Sequence, residues 1–490
     1  MKRSSLTSGA LSKRHYKYLL ANRRPLSDPF YSEPTMQNPL THSQAALVEA
    51  FTRADAYLET VPDRSVAPTP DAISRLTEFD TPMPEQPSAP AKTIAMLDEI
   101  GSPATTASVG GRFYGLVVGG TLPAALGARV LASAWDQVVF NEATSPIGVK
   151  LERVVSAWLL DILGLPKDCS VGFVTGATMA NFTCLAAARN TLLERQGWDV
   201  SRKGLWRAPP VRIVAGRQVH VTVLKALKLL GFGTDEIEWV DCDAQGRMIS
   251  AKLPDTDDRT LILTQSGNVN SGASDPIAEI VAAANDAWVH VDGAFGLWAA
   301  ASPRTQAQLH GYDAADSWVT DGHKWLNTPY DCGMAICRHP DAIHNAMATQ
   351  APYLEIGGVA APKDMVPEFS RGARGVEVWA ALHSLGKEGV ADLIDRSCAL
   401  ARRLAAGLQD CGFEILNDVV LNQVVATFPD FEGRSSDIAQ MVQESGEAWF
   451  GATNWNGRPA LRFSVASWAT SDADIDRTLQ AIKKTISTLA

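Results

Sequence analysis

Between about residues 110 and 330, short runs of apolar and β-branched residues alternate with longer segments of helical periodicity. The runs VGFVTG, RIVAG, LILTQSG and WVHVDGAFG are each the length of a buried strand. Segments such as ANFTCLAAARNTLLERQ and VLKALKLLGF lie between them and carry apolar residues at helical spacing. This alternation is typical of a mostly parallel sheet that is covered by helices. It predicts an α/β fold with a large domain over residues 110–380.

The flanking segments follow other patterns. Residues 43–58 have helical periodicity, and the proline-rich stretch after them cannot continue a helix. We expect an N-terminal helical arm over residues 36–109. Beyond the large domain, long helical segments lead to the strand-like runs VVATF and ALRFSVA and to a closing helix. These elements predict a smaller C-terminal α+β domain over residues 381–490.

Length, composition and charge exclude several classes of protein. A chain of 490 residues is too long for one hydrophobic core, so we expect several packed subdomains. The formal net charge of −10, without a basic stripe, argues against a nucleic-acid partner. No apolar run approaches the roughly 20 residues that a membrane-spanning helix needs, so we expect no membrane partner.

The cysteines and the N-terminus bear on compartment and metal binding. Seven cysteines are scattered without a CxxC pair or a zinc-like cluster, which predicts no metal site and a reducing, cytoplasmic location. Residues 1–35 are basic, with no acidic residue before Asp28. They could form a transit peptide, but they lack a clean amphipathic arginine pattern, so we expect a flexible basic extension.

The first candidate for chemistry is a lysine that follows a strand-like run. In the segment SWVTDGHKW, Lys324 lies between His323 and Trp325. Burial of an ammonium group is costly, so a lysine in such surroundings tends to lose its proton and become nucleophilic. Schiff-base chemistry needs that neutral amine. A lysine that merely reaches solvent from a strand end is the competing interpretation.

A second candidate is the aspartate in HVDGAFG, where an apolar strand ends on Asp292 and small residues follow, including Ala294. Ligands of open α/β sheets bind at the carboxyl ends of the strands. A carboxylate there needs a cationic partner, and the protonated nitrogen of a flat pyridine ring is one. Ala294 leaves room for such a ring. A buried aspartate that caps a turn is the alternative.

Two weaker signals complete the set. The turn from Thr175 to Asn181 leads from a strand directly into a helix, whose first N–H groups can bind a phosphate. His220 ends another short strand and could stack on a pyridine ring, although a lone histidine is more often structural. Along the chain, the candidate groups therefore follow the order phosphate turn, histidine, aspartate and lysine, and the lysine comes 32 positions after Asp292.

In this order and spacing the chain resembles the pyridoxal-dependent decarboxylases of the aromatic amino acid and glutamate decarboxylase group, which have the aspartate aminotransferase fold (fold type I). The segments HVDGAFG and DGHKW carry the resemblance most specifically. TGATMANFTCLAAAR, VHVTVLKA, GNVNSGASDPI, FYGLVVGGTLP and SRGARGVEVW support it. The resemblance implies a homodimer with pyridoxal 5′-phosphate (PLP) as cofactor.

The resemblance also implies roles for individual residues. Lys324 would carry the cofactor as an aldimine, Asp292 would bind the ring nitrogen, and Ala294 and His220 would lie on the two ring faces. The other implied cofactor contacts are Ala177, Thr178 and His323 at the phosphate and Asn268 near the ring hydroxyl. The implied substrate-pocket residues are Phe113, Tyr114, Phe140 and Tyr353.

The chain departs from the family pattern at two places. Family members often have Asn-Pro-His-Lys where this chain has Asp321-Gly322-His323-Lys324, which puts a phosphate contact by Asp321 in doubt. The family's proton-donating tyrosine lies on a mobile loop after the lysine, but residues 354–368 contain no tyrosine. We expect residues 353–371 to form a lid.

The activity implied by the resemblance is decarboxylation of an amino acid through a quinonoid intermediate on the cofactor. Another PLP-dependent lyase, an aldehyde synthase or a transaminase on the same fold remains open, because orientation in the pocket selects the bond that breaks. A non-catalytic scaffold protein is the alternative of another class, and the intact set of Lys324, Asp292 and His220 argues against it.

Overall fold

The computed structural model describes residues 39–349 and 361–489. Its helices are α1 (Pro39–Thr60), α2 (Pro70–Ser74), α3 (Pro90–Gly101), α4 (Pro123–Trp135), α5 (Pro146–Ile162), α6 (Ala177–Arg195), α7 (Val200–Lys203), α8 (Val221–Leu229), α9 (Ile277–Ala282), α10 (Pro340–Met347), α11 (Gly375–Asp410), α12 (Ser435–Glu444) and α13 (Asp472–Leu489). Its strands are β1 (Ser170–Val174), β2 (Arg212–Gly216), β3 (Glu238–Val240), β4 (Thr260–Gln265), β5 (Trp288–Asp292), β6 (Ser317–Asp321), β7 (Gly333–Cys337), β8 (Glu414–Ile415), β9 (Gln423–Thr427), β10 (Gly451–Trp455) and β11 (Arg458–Ser464).

The chain divides into two compact units. The first comprises Met1–Asp55 and Pro82–Glu99, and the second Ala56–Thr81 and Ile100–Ala490. The described part of the first unit comes mainly from α1 and α3. Within it, Arg53 forms ion pairs with Glu49 at 2.7 Å and with Asp98 at 2.9 Å. The helix predicted over residues 43–58 is present as α1, whereas the basic extension over residues 1–35 lies outside the described residues.

A seven-stranded sheet forms the centre of the second unit, in the order β1-β7-β6-β5-β4-β2-β3. Strands β6, β5, β4, β2 and β3 are parallel, and β7 runs antiparallel to both of its neighbours. Every residue of β4, β5, β6 and β7 is buried, as expected for a sheet with both faces covered. The predicted α/β fold with a mostly parallel sheet is confirmed.

A second, antiparallel sheet has the order β10-β11-β9-β8 and belongs to the C-terminal part of the chain. The expected domain boundary at residue 380 lies inside α11 and stays a prediction. The C-terminal sheet and the large sheet belong to the same unit. One reason is that Tyr114, which precedes the large sheet, is buried in a cluster with Phe450 and Phe463 of the C-terminal part.

Residues 39–349 and 361–489 contain neither a membrane-spanning helix nor a cluster of metal ligands. No helix in this part of the chain is long and apolar enough to cross a lipid bilayer. No three histidine, cysteine or acidic side chains in it cluster in a way that could hold a metal ion.

Candidate active site

A cavity of about 220 Å³ lies where the carboxyl ends of the parallel strands meet. Lys324, Asp292, His220 and Ala294 all line it, although they follow three different strands. The in-register pairing of β4, β5 and β6 brings the strand ends together, because Asp292 pairs with Gln265 on one side and with Val319 on the other. This edge is where an open α/β sheet binds its ligand.

Lys324 lies in the turn that follows β6. Its Nζ is 3.1 Å from Oδ2 of Asp321, the last residue of that strand. The main chain of Lys324 packs directly against Gly119, where an added Cβ would lie 1.7 Å from the Lys324 carbonyl oxygen. Only glycine fits at position 119, so the FYGLVVGGTLP segment fixes the position of the lysine backbone.

Asp292 is buried and is held by a chain of side-chain hydrogen bonds. Its Oδ2 accepts from Asn181 Nδ2 at 3.3 Å, and its Oδ1 accepts from the Ala294 N–H at 3.1 Å. Behind it, Asn181 Oδ1 is 2.8 Å from His290 Nε2, and His290 Nδ1 is 2.8 Å from Ser317 Oγ.

Burial lowers the pKa of His290 to about 4, so this imidazole is neutral near pH 7. Since Asn181 donates to Asp292 through its nitrogen, its oxygen accepts the Nε2–H of His290. The Trp288 indole N–H donates to Ser317 Oγ at 2.9 Å. Each side chain in this hydrogen-bonded series therefore has one orientation, and the carboxylate of Asp292 is fixed in the cavity.

His220 precedes α8 and caps its first turn. Its Nδ1 is 2.7 Å from Thr222 Oγ1 and accepts from the Thr222 N–H at 3.4 Å. Burial lowers the pKa of His220, and the nearby charge of Asp292 opposes that effect. The imidazole is therefore neutral near pH 7, and it lines the cavity.

The turn between β1 and α6 brings helix N–H groups next to His323. The 19-residue helix α6 begins at Ala177, directly after Gly176. An added Cβ at Gly176 would lie 3.2 Å from Cε1 of His323. The first turn of α6, with Ala177 and Thr178, can therefore bind an anion next to this histidine.

The structure places the predicted substrate-pocket residues Phe113 and Tyr114 outside the lining of this cavity. Phe113 stacks on Trp449 with ring centroids 4.8 Å apart. The Tyr114 side chain is fully buried, and its hydroxyl lies 3.1 Å from Thr478 Oγ1. Neither residue lines the cavity, because the backbone of this segment turns both rings toward the C-terminal part of the chain.

Three further predicted residues, Asn268, Phe140 and Tyr353, lie in different surroundings. The Asn268 side chain is buried between Gly267 and Val269, which line the cavity, and its amide nitrogen has no hydrogen-bond partner among the described residues. Phe140 packs against Phe369, with ring centroids 5.7 Å apart, and does not line the cavity. Tyr353 and most of the expected lid lie outside the described residues.

Seven lining residues were not predicted from the sequence as part of the pocket, namely Leu116, Val117, Gln265, Gly267, Val269, Phe295 and Arg462. Leu116 and Val117 line the cavity in place of Phe113 and Tyr114, and both have left-handed backbone angles, with φ of 54° and 59°. Non-glycine residues in that conformation are strained and are found most often at functional sites. Arg462 of β11 also lines the cavity and forms no ion pair with any described residue.

This set of groups fits PLP. The cavity offers an amine for an aldehyde, a carboxylate for a ring nitrogen, and a neutral imidazole and a small side chain for the ring, and the first turn of α6, beside His323, offers N–H groups for a phosphate. The buried amide nitrogen of Asn268, which has no partner among the described residues, lies beside Gly246 and is not part of the cavity lining.

Comparison with known proteins identifies the same family that the sequence motifs resemble. Residues 76–428 match the pyridoxal-dependent decarboxylase conserved domain. The chain is 28% identical over 404 residues to tryptophan decarboxylase 1 of Oryza sativa subsp. japonica, covering 74% of this chain and 77% of the relative. It is also 28% identical over 393 residues to 4-hydroxyphenylacetaldehyde synthase of Rhodiola rosea, covering 74% and 78%.

The fold has close counterparts among solved structures. A crystal structure of Oryza sativa TDC with PLP and tryptamine superposes with a TM-score of 0.84 at 23% identity, covering 93% of this chain and all of that one. Because the conserved domain matches most of the chain, the family is established. The chain belongs to the pyridoxal-dependent decarboxylases and is an amino acid decarboxylase that uses PLP as its cofactor.

Proposed function

We propose that this enzyme decarboxylates an α-amino acid with an uncharged, apolar or aromatic side chain, with Lys324 as its cofactor-binding lysine. The observation that carries the proposal is the composition of the cavity. Its ionic side chains are Lys324, Asp292 and Arg462, and its other walls include Leu116 and Val117. Lys324 binds the cofactor aldehyde, Asp292 binds the ring nitrogen, and Arg462 binds the substrate carboxylate. No charged group of the cavity is therefore left to bind a charged substrate side chain.

When bound, PLP supplies an electron sink for the bond to the departing carboxylate. Asp292 keeps the ring nitrogen protonated, and its hydrogen bonds to Asn181 and to the Ala294 N–H hold the carboxylate in place. The neutral imidazole of His220 covers one face of the ring, and Ala294 leaves the other face open. The first turn of α6 and His323 hold the phosphate.

Arg462 is proposed as the cation that binds the substrate carboxylate. Its side chain is largely buried in the cavity wall, and burial lowers the pKa of its guanidinium. The contact that it makes is a long one of 3.5 Å from Nη1 to the Val269 carbonyl oxygen. A guanidinium that is desolvated and has no ionic partner among the described residues favours a carboxylate ligand.

Two experiments test this proposal. Borohydride reduction of the cofactor-loaded enzyme should label Lys324, and Lys324→Ala should lose the yellow colour and the label; label on Lys225 or Lys363 instead would refute the site. A screen of free amino acids for CO₂ release should favour aromatic and aliphatic substrates. Preferred release from aspartate, glutamate, lysine or diaminobutyrate would refute the substrate class.

A second candidate reaction is formation of an aldehyde in place of the amine. It is favoured by the lack of a tyrosine in residues 354–368, where the family has its proton donor, and one similar relative is an aldehyde synthase. Amine formation would require His220, Tyr353 or a water to supply the proton, whereas aldehyde formation would consume O₂ and release ammonia and hydrogen peroxide together with the CO₂. The screen should therefore measure amine, aldehyde and peroxide for every accepted substrate.

We also propose a cytoplasmic homodimer. The exposed apolar side chains of the first unit, which include Leu47, Phe51 and Leu97, support a covering partner. All seven cysteines are free thiols, which supports a reducing compartment. Phe140, next to Phe369, is the pocket residue that we expect one subunit to offer to the other.

A further inference from the structure

Asp321 is a buried carboxylate that the proposed mechanism does not use. It ends β6 with 1% of its surface exposed, and its N–H donates to the Ala294 carbonyl oxygen at 2.8 Å. Its Oδ2 accepts from Lys324 Nζ at 3.1 Å. Its Oδ1 is buried and has no hydrogen-bond partner among the described residues. An unpaired carboxylate oxygen in such a position is costly.

The unpaired oxygen points toward the turn that leads into α6. An added Cβ would lie 3.6 Å from Asp321 Oδ1 at Gly176 and 2.9 Å from it at Gly333. Asp321 and Val174, the residue at the end of β1, both pair with Gly333. The carboxylate is therefore next to the turn whose N–H groups can bind a phosphate.

The groups around Asp321 do not neutralise this carboxylate once Lys324 is engaged. His323 Nε2 is 3.7 Å from Oδ2, but burial lowers the pKa of this imidazole, so it is neutral near pH 7. Tyr330 stacks on His323, and burial raises its pKa to about 12. The thiol of Cys332 is also neutral, because burial raises its pKa. Lys324 is the one cation that forms an ion pair with Asp321 in the described part of the chain.

Lys324 changes its bonding when the cofactor is loaded. The Lys324 ammonium first gives up a proton to solvent, its neutral amine then adds to the aldehyde carbon, and water leaves, so the nitrogen becomes part of a C=N bond and no longer forms the ammonium ion pair with Asp321. An anionic phosphate at the start of α6 then lies next to a carboxylate. Like charges this close in a buried site repel each other strongly.

We infer that Asp321 weakens the hold of the protein on the cofactor phosphate, so that PLP is exchangeable in this enzyme. The inference rests on the proposed function, which places the phosphate at the first turn of α6. An asparagine side chain at position 321 would have nearly the same shape as aspartate, but it would offer an N–H donor instead of a negative charge. Asp321 is therefore a residue that sets cofactor affinity, and it takes no part in breaking the substrate bond.

The test measures dissociation constants and release rates of PLP and of pyridoxal, which has the same aldehyde but no phosphate. Asp321→Asn should bind PLP more tightly than wild type, by on the order of tenfold or more, and release it more slowly. The variant also loses the ion pair between Asp321 and Lys324, which affects PLP and pyridoxal alike, so its affinity for pyridoxal should change less than its affinity for PLP. Asp331→Asn is the matched control, because that side chain is 45% exposed and its charge pairs with Arg374; its PLP affinity should equal that of wild type.

Three results would overturn the inference. Weaker PLP binding in Asp321→Asn would mean that the carboxylate helps to hold the cofactor. An equal change for PLP and pyridoxal would mean that Asp321 acts through Lys324 and not on the phosphate. If neither wild type nor variant binds PLP or is labelled at Lys324, the proposed site itself has failed. Asp321→Ser, with the same expected results, replaces the asparagine variant if that variant does not fold.

Discussion

At the scale of single residues, the charge of Asp292 is the property on which catalysis should depend most. Asp292→Asn keeps the shape of the side chain and an oxygen for the Ala294 N–H, but it loses the charge that holds the ring nitrogen protonated. We expect kcat to fall on the order of a hundredfold or more, with a smaller effect on cofactor binding. Steady-state kinetics with measured PLP content check this; a near-normal kcat would exclude the electron-sink role.

His290 lies behind Asp292 and should make stability depend on pH. Its folded-state pKa of about 4 is below the ordinary value of 6.5, so the unfolded chain takes up this proton first as the pH falls. Acidification from pH 6.5 to pH 4 should therefore cost about 3 kcal/mol of unfolding free energy through this residue alone.

The variant His290→Gln cannot take up a proton in this pH range, so it tests the prediction. Urea unfolding of wild type and variant should be compared across this pH window, since other buried groups titrate in both proteins. The difference between their unfolding free energies should shift in favour of the variant as the pH falls. A difference that does not change with pH would show that His290 is not held neutral by the fold.

At the scale of elements, β7 sets the distance between the phosphate turn and the lysine turn. An added Cβ at Gly333 would lie 2.5 Å from the Cα of Gly176. We expect Gly333→Ala to push this turn away from β7 and to lower PLP affinity at least about tenfold. Gly233→Ala is the control, because nothing lies within 4 Å of its added Cβ. Equal PLP affinity in both variants, with unchanged circular dichroism, would contradict the prediction.

Element patterns explain what the sequence could and could not predict. The strand-helix alternation predicted the α/β fold because β4, β5 and β6 are wholly buried and therefore apolar. The sequence did not predict β7, because a buried run of five residues is too short to show a periodicity of its own. Its antiparallel position between β1 and β6 is set by the fold. The family, fold and cofactor predictions are confirmed, since short motifs at strand ends carry them.

The pocket walls were harder to predict. Phe113 and Tyr114 are aromatic and lie in the right segment, but two successive left-handed residues, Leu116 and Val117, turn the chain so that the aromatic side chains point elsewhere. Backbone angles of this kind have no signal in a single sequence when the residues are not glycine. Arg462 has the charge to bind a carboxylate, but its sequence context equally fits a surface arginine, because only the fold brings β11 to the cavity.

At the scale of the whole molecule, the first unit leaves apolar side chains exposed that a second subunit should cover. Leu47 is 48% exposed and Phe51 is 40% exposed, four residues apart on one face of α1. Leu47→Glu with Phe51→Glu should therefore shift the protein from dimer toward monomer and lower activity. Sedimentation analysis measures the shift, with the exposed Thr52→Glu as control. Wild-type protein that is an active monomer would contradict the proposed homodimer.

The position of β7 in the sheet has a consequence for the order of folding. β1, which leads into the phosphate turn, joins the sheet only through β7, and β7 begins nine positions after Lys324. The two ends of the cofactor site are thus separated by about 150 positions along the chain and are joined by the last strand of the large sheet to be synthesised. Closing so long a loop is slow. A growing chain should therefore capture PLP only after residue 337 has emerged and β7 has paired on both sides.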